Sequence, residues 1–247
     1  MAAPGASRSI GASRSIGASR SIGAAALLAV AVLCGCAADP VVDDSSTPPS
    51  SSPTASPAAS ASSSPTSIET EPDCPAPAPP AAGTAFDQAL HDELVAMLER
   101  DQAGRLGTGP DEEGDAARTE RLAEIIAEHG WPTFDLVGED GEDAAWAIAQ
   151  HADLDPGFQR CALEHLRVAV DAGQGSPGNL AYLDDRIQAA AGAPQRYGTQ
   201  VACTDDGPVP ATPLSDPDGI ERIRAEAGLA PYADYLAEMA EICAQPG

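Results

Sequence analysis

The chain has 247 residues, 43% of them hydrophobic and only 4% aromatic, with 13 basic against 38 acidic side chains and a net charge of −25. A surface this acidic repels phosphate backbones and anionic headgroups, so nucleic-acid binding is excluded as an expected function. The length beyond the N-terminal region suits one domain with a real core.

The first 22 residues repeat Gly-Ala-Ser-Arg-Ser-Ile three times and place Arg8, Arg14 and Arg20 ahead of an apolar run from Ala24 to Leu33. A positive segment followed by a short apolar one has the form of an export signal. The run is about half the ~20 residues that cross a bilayer as a helix. It ends in Leu33-Cys34-Gly35-Cys36, which resembles a bacterial lipobox. The resemblance implies cleavage before Cys36, lipidation of that cysteine and anchoring at the outer face of the cell membrane; the alternative is simple secretion, with cleavage near Ala37 or Ala38. Loss of the three arginines leaves 10 bases against 38 acids, a net charge of −28 for the mature part.

Residues 37–82 are rich in Pro, Ser, Thr and Ala and offer almost nothing to bury. Such a segment cannot offset the entropy of ordering, and it reads as a disordered tether reaching roughly 35–40 Å or more.

Residues 83–247 carry helical periodicity. Thr84 is placed to cap a first helix with Phe86, Leu90, Leu94, Met97 and Leu98 on one face. Asp115 opens a second, with Leu122, Ile125 and Ile126 inward, stopped at Gly130-Trp131-Pro132. Glu142 to Ala152 is apolar nearly all round and reads as the central helix. Asp155-Pro156 and Ser176-Pro177 each start another. Gln195 to Cys203 and Val209 to Thr212, joined by Asp205-Asp206-Gly207, read as a hairpin whose second strand is an edge because of Pro208 and Pro210. Two short helices begin at Asp216-Pro217 and Pro231. The expected fold is mainly α: one compact domain of about six to seven helices with one small β-hairpin.

Cys74, Cys161, Cys203 and Cys243 remain after the lipobox, and an even number in an exported chain favours disulfides. Three connectivities are open; the preferred one fastens the domain's ends, Cys74 with Cys243 and Cys161 with Cys203. With no Cys-x-x-Cys and no His-x-x-x-His pair, no metal site is expected. No phosphate-binding glycine loop and no nucleophile motif occurs either, so no cofactor is expected.

Polar residues on apolar faces are the functional candidates. Asp101 continues the first helix's buried stripe, with Gln102 beside it and Arg105 one turn on. His151 shares the face of Ala144, Ala147 and Ile148; Asp185 and Arg186 lie a turn beyond Tyr182. The hexapeptide Gln195-Arg196-Tyr197-Gly198-Thr199-Gln200 concentrates polar groups around one glycine, and strand alternation puts Gln195 with Tyr197 and Gln200 on the other side.

In order, Asp101-Gln102…Arg105, Gly130-Trp131-Pro132, Gln150-His151-Ala152-Asp153, Asp185-Arg186, Gln195-x-Tyr197-Gly198-Thr199-Gln200 and Arg222…Gly228-Leu229 resemble a bacterial family, domain of unknown function 6624. The resemblance spans roughly residues 94–235 and implies that these residues lie near one another. It implies no reaction. Two functions remain: a tethered ligand-binding or interaction module, or an envelope-associated hydrolase or transferase. In the enzyme, His151 is the general acid/base with Asp101 and Asp185 behind it. In either, Arg105, Gln102, Arg186, Trp131, Gln195, Tyr197 and Gln200 contact an unknown small molecule or envelope component.

Overall fold

The computed structural model describes residues 74–245; the expected export signal, Cys36 and most of the stretch expected to be a tether lie outside them. The order of elements is α1 (Gln88–Arg105), α2 (Gly114–His129), α3 (Phe134–Gln150), α4 (Pro156–Asp171), α5 (Pro177–Ala190), β1 (Val201–Thr204), β2 (Gly207–Pro210), α6 (Ile220–Glu226) and α7 (Tyr232–Cys243). The fold is mainly α, with seven helices and one two-stranded antiparallel sheet among the described residues.

The local signals act largely as expected. Asp155 accepts from Phe158 N at 2.9 Å and Ser176 from Asn179 N at 3.2 Å, each followed by a proline at the first helical position. At α1 the cap is Asp87, which accepts from Ala89 N and Leu90 N; Thr84 instead donates to Ala81 O at 2.7 Å. Phe86 therefore precedes the helix and is 49% exposed, with its ring 5.5 Å from that of His91.

The central helix is longer than its apolar run suggests. It starts at Phe134 and is broken at Gly138, where φ is +77°, a conformation costly for any residue with a Cβ. Beyond the break, α3 packs against α1, α2, α4 and α5. Ala144, Ala145 and Ala149 are fully shielded there, with Leu94, Leu122, Ile125, Val137, Ala162, Leu166 and Leu183 around them. Small residues on α3 let four helices approach one axis, which is why this segment is apolar on nearly every side.

The expected strand from Gln195 is shorter than its composition suggested. Pairing begins at Val201, with Val201 opposite Pro210 and Thr204 opposite Gly207, while Gln195 makes only an isolated bridge to Leu214. Residues 196–200 are a loop, for a reason given below. Helix α7 covers both strands.

The disulfides are Cys74–Cys161 and Cys203–Cys243, with Cα separations of 5.6 and 5.5 Å. This overturns the expected fastening of end to end. Each bond is made within one half of the domain: the first ties the segment before α1 to α4, the second ties the hairpin to α7. Cys74 lies inside the stretch read as tether, so the end of that stretch lies along the domain.

The two bonds close chain separations of 87 and 40 residues, for which loop-closure entropy gives about 4 kcal/mol each, slightly more for the longer. Replacing either pair by serines is expected to lower the urea midpoint by a corresponding amount. An unchanged midpoint for both pairs would show that neither constrains the unfolded chain.

Candidate functional site

Asp101 is wholly shielded from solvent. Its position on the stripe of Leu94, Met97 and Leu98 leaves it no route to water, so its charge must be met locally. Oδ1 lies 3.0 Å from Arg105 Nε and 3.5 Å from Arg118 Nη2; Oδ2 lies 2.9 Å from His151 Nδ1 and accepts from Gln102 Nε2 at 2.9 Å. Burial pushes the carboxyl's pKa up, but the His151 hydrogen bond and the charges of His151, Arg105 and Arg118 outweigh it, and the net shift is downward.

Around this core stands a second rank. Arg118, 1% exposed, holds Asp111 through two bonds of 2.7 and 2.8 Å and Asp115 through one of 2.8 Å. Arg105 Nη2 donates to the same Asp115 oxygen at 2.8 Å. The paired guanidinium, with the Gly114 amide, holds the Asp111 carboxyl well below its ordinary range. Arg118, Asp111 and Asp115 were not among the expected site residues. Arg118 was discoverable, because it extends the Leu122, Ile125 stripe of α2 by one turn and so had to be buried.

His151 caps the C-terminus of α3 and is 7% exposed. Its Nδ1 lies between Asp101 Oδ2 at 2.9 Å and Arg105 Nε at 3.1 Å. Arg105 Nε donates both to Asp101 Oδ1 and to His151 Nδ1, while the same Nδ1 lies within reach of Asp101 Oδ2, so the position can be met either by the guanidinium N–H or by a ring proton aimed at the carboxylate. Nε2 has no hydrogen-bond partner among the described residues and is not closed off from solvent. Beside it in the chain, the Gln150 side-chain oxygen is buried and also without a partner.

Asp185 has a different task. It is fully buried, and its carboxylate accepts from Arg196 N at 2.7 Å, Tyr197 N at 3.1 Å, Thr199 N at 2.9 Å and Thr199 Oγ1 at 3.1 Å. These amides would serve a neighbouring strand in a sheet. Here they converge on one side chain, so residues 196–200 wrap instead of extending. Gly198, at φ +66°, makes the wrap possible; a Cβ there would lie 2.8 Å from the Tyr232 ring. Gln195 braces the same turn, donating to Gln200 O and Thr212 O and accepting from Gln200 N. Buried Arg224 closes it from behind, donating to Tyr197 O at 2.8 Å with its guanidinium 4.8 Å from the Tyr235 ring centroid. The expected alternation of Gln195 with Tyr197 on one strand face is thereby corrected: Gln195 is buried in the brace, and Tyr197 sits on the loop beneath Arg196.

Arg186 joins the two regions. Its guanidinium grips both oxygens of Asp153, with Nε to Oδ1 at 2.9 Å, and its Nη1 donates to Gln200 Oε1 at 3.4 Å. Residues 151–153 at the end of α3 thus send His151 into the Asp101 cluster and Asp153 into the loop cluster. Asp101, Gln102, Arg105 and His151 come together as expected, and Asp185, Arg186, Gln195 and Gln200 form the second group. Both Arg105 and Arg186 are already neutralised by carboxylates. Trp131 belongs to neither group; its Nε1 donates to Glu142 Oε1 at 3.2 Å at the α2–α3 corner.

A cleft of ≈ 410 Å³ opens beside the first cluster, with Asp115, Thr119, Ala152, Leu154 and Phe158 on its wall. Cys74, Cys161 and His165 place their donor atoms within 4.8 Å of one another, but both sulfurs are in the disulfide and His165 Nε2 lies 2.9 Å from Pro75 O. Residues 88–243 match the Family of unknown function (DUF6624). The chain belongs to this family. No curated protein and no solved structure matches it. The DUF6624 match runs from the first residue of α1 to the last of α7, so both polar clusters lie inside it.

Two outcomes follow from these carboxylates. Glu142 is fully shielded and faces no cation; burial raises its pKa to about 7, with Asp143 adding to the shift and Ser176, Trp131 and Asn179 opposing it. Between the ordinary carboxylate range and pH 7 the folded state holds a proton that the unfolded chain has released. Stability therefore falls as pH rises through that window, by roughly 3 kcal/mol, and levels off above it. Glu142→Gln should flatten this part of the profile and melt higher than the unsubstituted chain at pH 8; equal slopes between pH 5 and 7 would contradict the assignment. Asp185→Ala strands three amides and is expected to cost about 3–5 kcal/mol, with hydrogen exchange at residues 196–199 accelerated ahead of that in α3. Uniform acceleration across both would argue against a local wrap.

Proposed function

We propose that this chain is a lipoprotein, exported and anchored through Cys36, whose acidic helical domain binds a small polar ligand at the Asp101–His151 cluster. The observation that carries the reading is His151. Its ring is nine-tenths buried, and with its proton on Nδ1, toward the Asp101 carboxylate 2.9 Å away, Nε2 presents to solvent a lone pair that no described residue takes. The neighbouring Gln150 oxygen, buried and unpaired, adds a second unused acceptor.

A lone pair at Nε2 favours a ligand that donates a hydrogen bond, such as a hydroxyl, an amide or an amine. An anionic ligand is disfavoured by the paired state of Arg105 and Arg186 and by the overall charge. The Pro/Ser/Thr/Ala-rich stretch ahead of Cys74 would hold the domain clear of the membrane, where it meets soluble envelope components.

A second reading, an envelope hydrolase or transferase, is favoured by one specific feature: the couple of Asp101 with His151. A carboxylate behind Nδ1 orients the ring and stabilises the imidazolium that forms when Nε2 takes a proton from a bound hydroxyl or water. The domain offers His151 as base and Asp101 as its positioning partner. Asp185 takes no part in this step, because its oxygens are occupied by the loop amides.

The full chain, screened by thermal shift against neutral and amine-bearing envelope compounds, is expected to give a stabilising ligand. The shift should be lost in His151→Asn while the unliganded melting temperature stays within a few degrees. A large drop in that temperature would assign His151 to structure. Product release from the same compounds by the unsubstituted chain, absent in His151→Asn, would select the enzyme. Metabolic palmitate labelling should be abolished by Cys36→Ser, and undiminished labelling would reject the anchor.

A further inference from the structure

Residues 75–84, Pro-Ala-Pro-Ala-Pro-Pro-Ala-Ala-Gly-Thr, form a strap across the ends of α2, α3 and α4. The strap does not seal onto them. It encloses a cleft of ≈ 490 Å³, within the roughly 300–1,000 Å³ of small-molecule sites. Pro79 and Pro80 stand on the outer wall, and Trp131 and Leu136 on the inner. Two attachments hold the strap at its start: the Cys74–Cys161 bond, and His165 Nε2 at 2.9 Å from Pro75 O.

The cleft carries unused hydrogen-bonding groups. Thr133 is the N-cap residue of α3 and 5% exposed, yet its hydroxyl caps nothing and has no partner among the described residues. It lies on the cleft wall. Along the strap, residues 76–80 make no backbone hydrogen bond among the described residues, so their carbonyls are open acceptors. Charge is scarce. Among the described residues no arginine lines the cleft, and the one carboxylate there, on Glu128, sits 3.5 Å from His129 Nε2. An anion therefore finds no guanidinium, and a cation finds only a carboxylate shared with an imidazole.

We propose that the cleft under the strap is a binding site for a neutral sugar-like molecule, with hydroxyl or amide groups on one side and an apolar face on the other, and that the Cys74–Cys161 bond holds its outer wall in place. The open carbonyls and the Thr133 hydroxyl meet the polar side, and the proline rings, with the small edge of Trp131 left accessible, meet the apolar one. The site is separate from the Asp101–His151 cluster and does not rest on the function proposed for it.

The test uses the full chain with its two tryptophans labelled with nitrogen-15, the Trp131 indole signal being assigned by its persistence in Trp146→Phe. N-acetylglucosamine at millimolar concentrations is expected to move that signal saturably, whereas glucosamine and glucuronate move it weakly. Thr133→Val should weaken binding about tenfold, the equivalent of one neutral hydrogen bond, and Thr133→Ser should restore it. The paired Cys74→Ser, Cys161→Ser chain should bind at least tenfold more weakly. Ala78→Trp fills the cleft from the strap without touching the core, and should abolish the shift even if the serine pair fails to fold. His151→Asn should bind normally. No saturable movement with the neutral sugar, equal response to the charged sugars, or full affinity in Thr133→Val or Ala78→Trp would each overturn the site. Native affinity in the folded serine pair would overturn the role of the disulfide.

Discussion

A carboxylate with no path to water is the constraint on which the polar interior depends. Asp101 is placed by helical periodicity on a face that must be buried, and an isolated charge there would cost far more than the domain's net stability. The chain answers with two guanidiniums, one amide and one imidazole. Each then needs a partner of its own, which brings Asp111 and Asp115 into the same network. The pairing of Asp101 with His151 joins α1 to the end of α3, while Arg118 joins both to α2. What reads as a site is first the completion of a buried charge.

Three buried carboxylates in this domain meet the same difficulty by different means. Asp101 is met by cations. Asp185 is met by backbone amides, and it thereby shapes a loop. Glu142 has no cation among the described residues and only one backbone N–H; with an indole and an amide side chain besides, it keeps its proton to near neutral pH. A network fully satisfied makes one packing preferable to its competitors, which is the usual role of such groups in a core. The polar interior departs from that rule at Arg118 Nε and at the Gln150 side-chain oxygen, both buried without a partner, while His151 Nε2 faces solvent with no partner among the described residues. The Nε2 lone pair separates a functional reading from a purely structural one.

The helical part of the fold was legible because apolar residues recur at helical spacing and because Asp155-Pro156 and Ser176-Pro177 are strong local starts. The same logic found Asp101, His151 and Arg186, since a polar residue on an apolar stripe must have a partner. Arg118 obeys that rule as well and was overlooked only because the stripe of α2 was begun at Leu122. The loop at 195–200 was not legible in this way. Its composition suits a strand, and the group that diverts its amides is a carboxylate more than ten residues upstream. Arg224 escaped notice because its partners are backbone carbonyls and ring faces, which no side-chain pattern announces. Disulfide pairing likewise depends on which surfaces meet, and the strap that carries Cys74 has the composition of a tether. Reach, more than residue type, decides these features.

The arrangement at His151 rests on one proton. With it on Nδ1, Asp101 orients the ring and Nε2 presents a lone pair to a ligand. With it on Nε2, the Nδ1 lone pair would accept from Arg105 and the ring would be a spacer between two charged groups. Nitrogen-15 chemical shifts of the two ring nitrogens of His151, recorded on the neutral ring, distinguish these states directly. The account predicts a protonated Nδ1 and an unprotonated Nε2, reversed in Asp101→Asn. A protonated Nε2 in the unsubstituted chain would contradict it.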